Sequence, residues 1–470
     1  MTHGVLVVPT QSQRSLSRER GAALLAALCF ASVLAIALSS YITVCYRSLQ
    51  MSTRNMNSAR SVELAEVGME EALWALNKND WTGWTLTGTT ATKTVSGFTY
   101  DNGATGSVTA TVTNYNDSGP GNRTLTVTGT TTLGDGTTTS RTLTSTSAKT
   151  PLFVNAVAAT AARTASTGIV SFSSGGTVDS YDSSLGDYAA GTATYSATVA
   201  SGATGASSAT VALVNAQVKG YAASLYASGP SYSTSAKLLG SAVAVPSQYQ
   251  APTNASVDLR RISSSPYQPS FSILTPSLTG ATLVTNPAAG TALTLGVAGE
   301  TAPRVYYCTG IDMRTNNTQI VVNGPAQLVI TGSGNFYCGL YGGDSNTKIQ
   351  IATTGSLEVF TAGDIAIYQG GIDNLTKNPK KCAIYGTNSL TAPDMNTATA
   401  FYGVIYTPTG DFKVISNNAI YGAIVANKVA FTGSAPVVHY DLNLRTVAAN
   451  DFRGLEQPFA VSNWRETTSP

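Results

Sequence analysis

Residues 22–46 read AALLAALCFASVLAIALSSYITVCY, and no charged side chain interrupts this apolar stretch. As an α-helix it would be about 37 Å long, at a rise of about 1.5 Å per residue. The hydrocarbon core of a bilayer is about 30 Å thick, so the stretch predicts a transmembrane helix. Arg14, Arg18 and Arg20 precede it and Arg47 follows. This excess of positive charge predicts an N-terminal side in the cytoplasm and the rest of the chain outside.

The large apolar side chains of this stretch are expected to contact lipid: Leu24, Leu25, Leu28, Phe30, Val33, Leu34, Ile36, Leu38, Ile42 and Val44. A cleavable secretory signal peptide is the alternative, but its apolar core is typically only about 7–15 residues long. Here the apolar stretch is longer, and it continues without Pro or Gly as far as Val67. The sequence therefore favours a permanent anchor.

The helix is predicted to continue beyond the membrane. Apolar residues recur at intervals of three and four, as on one face of an α-helix: Val62, Ala65, Met69, Leu73 and Leu76. We therefore expect one helix over residues 22–77, about 84 Å long. Its first half is apolar on all sides, whereas its second half should pack this stripe against a folded domain.

The start of this helix resembles the N-terminus of type IV pilins and related pseudopilins. RERGAALLAAL, residues 18–28, is similar to the end of a basic prepilin leader followed by a mature N-terminus. The resemblance implies that residues 1–21 are a leader, that prepilin peptidase cuts after Gly21, and that Ala22 becomes the first mature residue. It also implies that the partners are other pilin-like subunits, the pilus assembly machinery and inner-membrane lipid.

The second half of the helix extends the resemblance. NSARSVELAEVGMEEALWAL, residues 57–76, is similar to the PilX-type minor pilin helix, in which an Ala-Glu-x-Gly-x-x-x-Ala pattern is common. The matching residues here are Ala65, Glu66, Gly68 and Ala72. Major pilins carry Glu at the fifth mature position, where this chain has Ala26. The resemblance is therefore to a minor or tip subunit rather than to the bulk subunit of a filament.

Residues 78–149 alternate polar and apolar side chains. SVTATVTNY (107–115), RTLTVTGTTTL (123–133) and SRTLTSTSA (140–148) have the period of two that is typical of β-strands. GDG at residues 134–136 is typical of a hairpin turn. We predict a small antiparallel β domain that packs on the helix.

The C-terminal part repeats a unit of two short apolar strands joined by a turn of Gly, Asn or Asp. Examples are LVITGSGNFY (328–337), LEVFTAGDIAI (357–367), GVIYTPTGDFKV (403–414) and AIVANKVAF (423–431). Stacked strands of this kind are typical of a β-solenoid, which we predict at residues 304–445. A β-sandwich is the alternative fold.

The fold class is thus mainly β with one long N-terminal α-helix, a pilin-like helix and small antiparallel sheet followed by a β-solenoid region. The remaining segments are assigned by composition. Residues 150–221 are predicted to be β-rich, residues 222–303 a Ser-, Pro- and Gly-rich linker or extended loops, and residues 446–470 a C-terminal tail.

Composition narrows the function. Only 11% of the residues are charged and the net charge is +2, so nucleic acid is not an expected partner. The chain is 43% hydrophobic and contains 22 Tyr, which argues for folded domains rather than disorder.

No pattern of catalytic residues emerges, so we predict that the protein is not an enzyme and uses no cofactor. The histidines are His3 in the leader and His439 in a predicted strand. A polysaccharide-active enzyme remains an alternative, with these residues as candidates: Asp364, Asp373, Lys377, Lys380, Lys381 and Asp411. The three C-terminal cysteines lack the pair spacing of a zinc site, but two of Cys308, Cys338 and Cys382 could form a disulfide.

Asp179, Asp182 and Asp187 lie close together in the sequence, and their carboxylates form a weak candidate calcium site. The alternative is that these side chains cap tight turns. A further set of residues could stack on surface glycans or on a host or cell protein: Tyr306, Tyr337, Tyr341, Tyr368, Tyr385, Tyr402, Tyr406 and Tyr421.

The sequence therefore predicts a structural, single-pass inner-membrane protein whose C-terminus lies outside the cytoplasm. It would be a minor pilin or pilus assembly protein displayed on the cell surface, with adhesion as a further role. The alternative is a stand-alone membrane-anchored β-solenoid adhesin or carbohydrate-binding surface protein.

Overall fold

The structure is a computed structural model, and it divides the chain into two compact units. The head unit comprises Met1–Asn116, Asn122–Ser147 and Val461–Pro470, and the solenoid unit comprises Asp117–Gly121 and Ala148–Ala460. The residues that the structure describes are 13–116, 122–164, 166, 169–205, 210–241, 246–250, 256–314, 317–340, 346–387, 394–415, 417–446, 451–456 and 458–467, with the backbone alone for 13–20 and 394.

The head unit begins with one long helix, α1, at Gln13–Lys78, followed by strands of an antiparallel sheet. The helix starts before the predicted Ala22, so the helical backbone runs through the predicted cleavage point. The strands that follow pair in chain order: β1 Thr85–Thr87, β2 Thr90–Thr99, β3 Thr105–Thr113, β4 Arg123–Thr132 and β5 Thr138–Lys149.

The alternation of the sequence explains the two faces of this sheet. Successive side chains of a strand point to opposite faces, so one face collects buried apolar residues such as Val108, Val112 and Val127. The other face carries rows of hydroxyls, in which Thr94 lies opposite Thr109 and their Oγ1 atoms are 3.0 Å apart. The helix covers the apolar face and leaves the threonine face to solvent.

The solenoid unit starts with a stretch of short strands between Val157 and Ser263. They are β6 Val157–Ala159, β7 Val170–Phe172, β8 Gly176–Tyr181, β9 Ala197–Ser201, β10 Val211–Leu213, β11 Ala216–Ser224, β12 Ser231–Tyr232, β13 Lys237–Leu239 and β14 Ile262–Ser263. Their pairings with one another are parallel.

A second stretch of strands runs from Thr282 to Asp441. They are β15 Thr282–Leu283, β16 Ala292–Leu295, β17 Arg304–Cys308, β18 Ile311–Asp312, β19 Gln319–Val322, β20 Pro325–Ile330, β21 Phe336–Cys338, β22 Lys348–Ile351, β23 Ser356–Thr361, β24 Ile365–Gln369, β25 Ile372–Asn374, β26 Cys382–Gly386, β27 Asp394–Thr397, β28 Phe401–Val414, β29 Ala419–Phe431 and β30 Val437–Asp441.

These strands stack in parallel ladders, coil upon coil. One ladder runs β15–β17–β20–β23–β26–β28–β29, and a second runs β18–β21–β24–β27–β28–β29. A third joins β16, β19, β22 and β25. Parallel stacking confirms the predicted fold class and is not the antiparallel pairing of a β-sandwich.

The two stretches form one continuous stack, although they are separate in sequence. At the seam, β29 pairs with β6 and β7, and β30 pairs with β8. Inside the seam the rings of Phe172 and Phe431 stack with centroids 4.3 Å apart and planes 5° apart. The coils of residues 157–263 therefore follow residue 441 along the stack, so the order of coils is not the order of the chain.

Residues 222–303, predicted to be a linker or extended loops, instead contain rungs of this stack. β13 and β14 both pair with β11, β15 begins the ladder that leads to β29, and β16 begins the ladder that ends at β25. The strands in this segment are two to four residues long and lie between turns rich in Ser, Pro and Gly. Such short strands show no alternating pattern, so the sequence alone predicts loops.

The last strand returns the chain to the head unit. β31, at Phe459–Thr467, joins the antiparallel sheet beside β5, and Ser145 Oγ lies 2.9 Å from Ser462 O. Part of residues 446–470, predicted to be a tail, is therefore a strand. In chain order, the solenoid unit is an insertion between two neighbouring strands of the head sheet.

Candidate functional site

The first half of α1 is an apolar surface without any covering. Each residue from Gly21 to Ser52 is exposed, and an 18-residue window of this helix has a mean hydropathy of 2.5. Among the described residues, α1 is the one helix that is long enough and apolar enough to span a membrane. The ten side chains predicted to contact lipid are between 58% and 78% exposed. Burying each large apolar side chain is worth about 1.5–3 kcal/mol, so this surface favours lipid or other helices over water.

The second half of α1 packs on the head sheet through a stripe of small residues. Ser61, Ala65, Gly68, Ala72 and Ala75 recur at intervals of four and three, and all five are buried. Small side chains let a helix backbone approach its neighbour closely. This stripe shares Ala65 with the predicted apolar stripe, and its other members each precede a residue of that stripe by one position.

Two glycines make the close approach feasible. A Cβ added at Gly68 would lie 2.5 Å from Val108 Cγ2 and 2.6 Å from Val127 Cγ1. On the opposite side, a Cβ added at Gly129 of β4 would collide with the carbonyl oxygen of Ser61. At Gly68 the helix backbone therefore packs directly on valine side chains of the sheet, and at Gly129 the strand packs directly on the helix backbone.

Polar contacts fix the position of the helix on the sheet. Ser61 Oγ lies 2.8 Å from Thr139 O, and Arg141 Nε donates to Ser58 Oγ at 2.8 Å. Near the end of the helix, Lys93 Nζ pairs with Glu71 Oε1 at 2.5 Å. These contacts fix the rotation of α1 about its own axis and its position along that axis relative to the head sheet.

The predicted packing residues occupy two environments. Ala65, Met69 and Leu76 are buried, whereas Val62 and Leu73 are only half-buried. Large apolar residues at intervals of three and four identified the edge of the interface, but its centre consists of Ser, Gly and Ala. The signal that would have found it is the recurrence of small residues, which hydrophobicity alone does not reveal.

Gly21 has a different environment from Gly68 and Gly129. A Cβ added there would meet no atom within 4 Å, so packing imposes no glycine at this position. Glycine inside a helix costs about 0.8–1.0 kcal/mol relative to Ala. Ala22, like Gly21, is exposed. The rest of the predicted leader before residue 13, including His3, lies outside the described residues.

The structure does not bring the three candidate calcium ligands together. Asp179 is buried, with Oδ1 2.5 Å from His439 Nδ1 and Oδ2 accepting from Tyr188 Oη at 3.0 Å. Asp182 caps a short 3-10 helix through Ser184 N–H, and Asp187 pairs with Lys377. Within the described part of the chain, no cluster of three or more His, Cys, Asp or Glu could hold a metal ion. The three aspartates therefore do not form the weak candidate calcium site, and Asp182 caps a turn as the alternative expected.

The predicted disulfide is also absent, because Cys308, Cys338 and Cys382 are free thiols. All three are buried within the solenoid unit. Cys338 Sγ donates to the carbonyl oxygen of Gly371 at 3.0 Å, and burial raises the pKa of Cys338 to about 12. Burial likewise raises the pKa of the Cys382 thiol. These cysteines act as small core residues.

The charged residues considered for catalysis do not form one cluster. Asp373 pairs with Lys348 at 2.8 Å, Lys377 with Asp187 at 2.6 Å and Asp411 with Arg163 at 3.8 Å. Asp364 is held through its backbone N–H by Asn335 Oδ1. Lys380 and Lys381 both line a polar cavity of the solenoid unit, and Lys380 is paired there with Asp451 at 2.7 Å.

The tyrosines considered for ligand stacking divide by burial. Tyr306, Tyr385 and Tyr406 are buried and cannot stack on an external ligand, and Tyr341 lies outside the described residues. The other members, Tyr337, Tyr368, Tyr402 and Tyr421, are half-buried.

Two of these tyrosines stack on each other rather than presenting free ring faces to solvent. Tyr402 and Tyr421 have centroids 4.2 Å apart and planes 7° apart, and His439 follows at 4.7 Å from Tyr421. Burial raises the pKa of Tyr402 to about 12. These rings form a row across neighbouring strands of the solenoid unit, which stabilises the stack of coils.

Comparisons with known proteins leave the family open. A family model described as "Domain of unknown function (DUF7305)" matches residues 339–447, which cover the later part of the second stretch of the solenoid unit and the residues directly after it. No curated protein matches the sequence. Among solved structures, the competence-associated pilin ComZ from Thermus thermophilus matches with 12% identity and a TM-score of 0.25, over 87% of this chain and 98% of that chain. At that TM-score the likeness carries no argument about fold or function.

Proposed function

We propose that the protein is a membrane-anchored minor pilin of the type IV pilus class, with a structural role. The observation that carries the proposal is the division of α1. One half is apolar and exposed on every side, and the other half is fixed to an antiparallel head sheet through small residues. A helix of this design anchors a subunit in lipid before assembly and offers the same surface to neighbouring helices afterwards.

Processing at Gly21 is part of this proposal. The resemblance of residues 18–28 to a prepilin leader supports it. Packing does not compete with this role, because a Cβ at Gly21 would meet no atom within 4 Å. Prepilin peptidase would remove residues 1–21 on the cytoplasmic side, and Ala22 would be the mature N-terminus.

We propose further that the role is non-enzymatic. The separate ion pairs of Asp373, Lys377 and Asp411 support this view, because general acid–base catalysis needs such groups to converge on one substrate. The solenoid unit would then serve as the surface-displayed part, outside the cytoplasm. Partners would be other pilin-like subunits, the assembly machinery and membrane lipid.

The test is the mass of the mature chain. The protein is expressed with its assembly machinery, extracted from the membrane and analysed as an intact chain. A chain that begins at Ala22 is expected for the native protein, and a chain that retains its leader is expected for Gly21→Leu. Gly191→Leu is the matched control, because a Cβ at Gly191 also meets no atom within 4 Å. An intact Met1 in the native protein, or a cut after about residue 40, would refute processing as a pilin.

A stand-alone anchored adhesin is the second candidate, because the exposed apolar half of α1 would anchor the chain in the membrane with or without a filament. Shearing of cells separates the two candidates. A minor pilin is expected in the sheared filament fraction together with other pilin-like subunits, whereas a stand-alone adhesin stays with the cell membrane.

A further inference from the structure

The charged residues of α1 are separated by sign along the helix. From residue 21 to residue 60 every charged side chain is basic: Arg47, Arg54 and Arg60. From residue 61 to residue 77 every charged side chain is acidic: Glu63, Glu66, Glu70 and Glu71. Like charges four residues apart, such as Glu66 and Glu70, destabilise an isolated helix. This separation of charge therefore contributes little to the stability of α1 itself.

Arg47, Met51 and Arg54 form one exposed face directly after the apolar half of the helix. Spacings of four and three residues place them on the same side of α1. All three are exposed, and Met51 is 66% exposed. Ser61 of the buried stripe lies seven residues after Arg54, so this face is on the same side of α1 as the stripe. We call Arg47, Met51 and Arg54 the lower face.

Glu63, Val67 and Glu70 form a second exposed face with the same spacings, which we call the upper face. Each of its members lies 16 residues after one member of the lower face. Because 16 residues correspond to about four and a half helical turns, the two faces lie on opposite sides of α1. All three residues are exposed, and Val67 is 49% exposed.

The chain itself does not compensate the charges of these two faces. None of their four charged side chains has an ion-pair partner among the residues that the structure describes. Other charges of the same helix are engaged within the head unit. Glu71 pairs with Lys93, and the guanidinium of Arg60 lies 4.3 Å from the ring centroid of Tyr100. The two faces are therefore available to a partner.

We propose that the lower face of one copy of this chain docks on the upper face of a second, parallel copy. The two copies are displaced by about 24 Å along the helix axis, at a rise of about 1.5 Å per residue. This single displacement brings three pairs together: Arg47 with Glu63, Met51 with Val67, and Arg54 with Glu70. An apolar contact thus lies between two ion pairs, and the charges of the two faces are complementary.

The contact is heterologous, because it joins two different faces of the same chain. Each copy of a docked pair keeps one face free, so a further copy can follow in the same way. The inference deepens the proposed pilin role by naming the neighbouring subunit and the register of the two helices. It rests on that role in one respect, since chains anchored in one membrane in the same direction are parallel.

The register is tested by disulfide crosslinking in membranes of cells that express two versions of the full chain. Both versions carry Cys29→Ser and Cys45→Ser, because those two cysteines are exposed. One version carries Met51→Cys and the other Val67→Cys, and oxidation is expected to join them into a dimer. Ala59→Cys replaces Val67→Cys in the matched control, because Ala59 is also exposed but lies eight residues closer to Met51. The control should crosslink at least about fivefold less.

Charge complementarity is tested in the same pair of chains. Glu63→Lys with Glu70→Lys in the chain that carries Val67→Cys should lower the dimer yield by about fivefold or more. Adding Arg47→Glu with Arg54→Glu to the chain that carries Met51→Cys should restore it, because both ion pairs then form with their signs exchanged. This rescue also shows that the variants are folded and inserted.

Four results would overturn the proposal. A dimer yield no higher than that of the Ala59→Cys control would refute the contact. An equal yield of dimers between two chains that both carry Met51→Cys would show a pair without displacement. Charge reversal without effect would refute the ion pairs. Loss of the dimer with Arg47→Glu and Arg54→Glu, whatever the partner carries, would assign the arginines to anionic lipid. None of these results changes the mass expected for a chain that begins at Ala22, so the two proposals fail separately.

Discussion

At the scale of single residues, three glycines of the head unit differ in whether their surroundings leave space for a side chain. Gly68 and Gly129 are required by contact, because a side chain at either would collide with the opposite element. A Cβ at Gly21 would meet no atom within 4 Å, and Gly21 is the glycine after which we propose that the chain is processed. The three residues are of the same type, and only the contacts around each position in the structure distinguish them.

Gly129→Ala should destabilise the head unit by about 1–3 kcal/mol or more, the typical cost of overpacking. The added Cβ would collide with the Ser61 carbonyl oxygen and force α1 away from β4. Hydrogen exchange of β4 amides in the detergent-solubilised chain measures the effect. Gly134→Ala is the control, because its Cβ would meet no atom within 4 Å. Native protection of β4 in Gly129→Ala would contradict the close packing.

The three buried cysteines should resist alkylation in the native protein. The pKa of Cys338 is raised to about 12 by burial, so at pH 8 its thiol is protonated and is a poor nucleophile. Iodoacetamide at pH 8, followed by mass spectrometry, should modify Cys308, Cys338 and Cys382 only after denaturation. Mass spectrometry without reductant should detect three free thiols, and a disulfide between any two of them would contradict the structure.

At the scale of elements, α1 and the head sheet bury their apolar surfaces against each other. The sequence predicts the helix well, because an apolar stretch and a regular stripe both persist over many turns. It predicts the packing surface less well. The contact depends on Ser61, Gly68 and Ala72, whose small side chains carry little hydrophobic signal although they decide how closely the backbones approach.

Deleting residues 461–470 should weaken the head sheet without unfolding the solenoid unit. The deletion removes most of β31, and β5 becomes an edge strand whose Ser145 and Thr146 lose their contacts with Ser462. Hydrogen exchange should rise in β5 and stay unchanged in β20 and β23. Native protection of β5 in the truncated chain would show that β31 does not contribute to the sheet.

At the scale of the whole molecule, the decisive feature is the seam at which residues distant in sequence become neighbouring coils. The repeats after residue 304 are visible in the sequence because each has two apolar strands and a turn. The coils before residue 264 are not, since their rungs are short and Ser-rich. No local pattern indicates that β29 pairs with β6 and β7, so the continuous stack emerges only from the three-dimensional structure.

Phe431→Ala should destabilise the solenoid unit by about 3–5 kcal/mol, because it removes a fully buried ring that stacks on Phe172 across the seam. Hydrogen exchange should increase in β7 as well as in β29. Leu185→Ala, at a side chain that is 88% exposed, is the control and should change stability by less than about 0.5 kcal/mol. Loss of protection confined to β28 and β29 would contradict a continuous stack.

The central claim is that the exposed apolar half of α1 lies in lipid, and extraction of membranes with alkaline carbonate tests it most directly. The native chain should remain in the membrane pellet. A chain with both Leu34→Arg and Leu38→Arg should appear in the supernatant, since each arginine at the centre of a spanning helix costs about 2.5–3.5 kcal/mol on insertion scales. Release of the native chain by carbonate, or retention of the double-arginine chain in the pellet, would contradict the anchor.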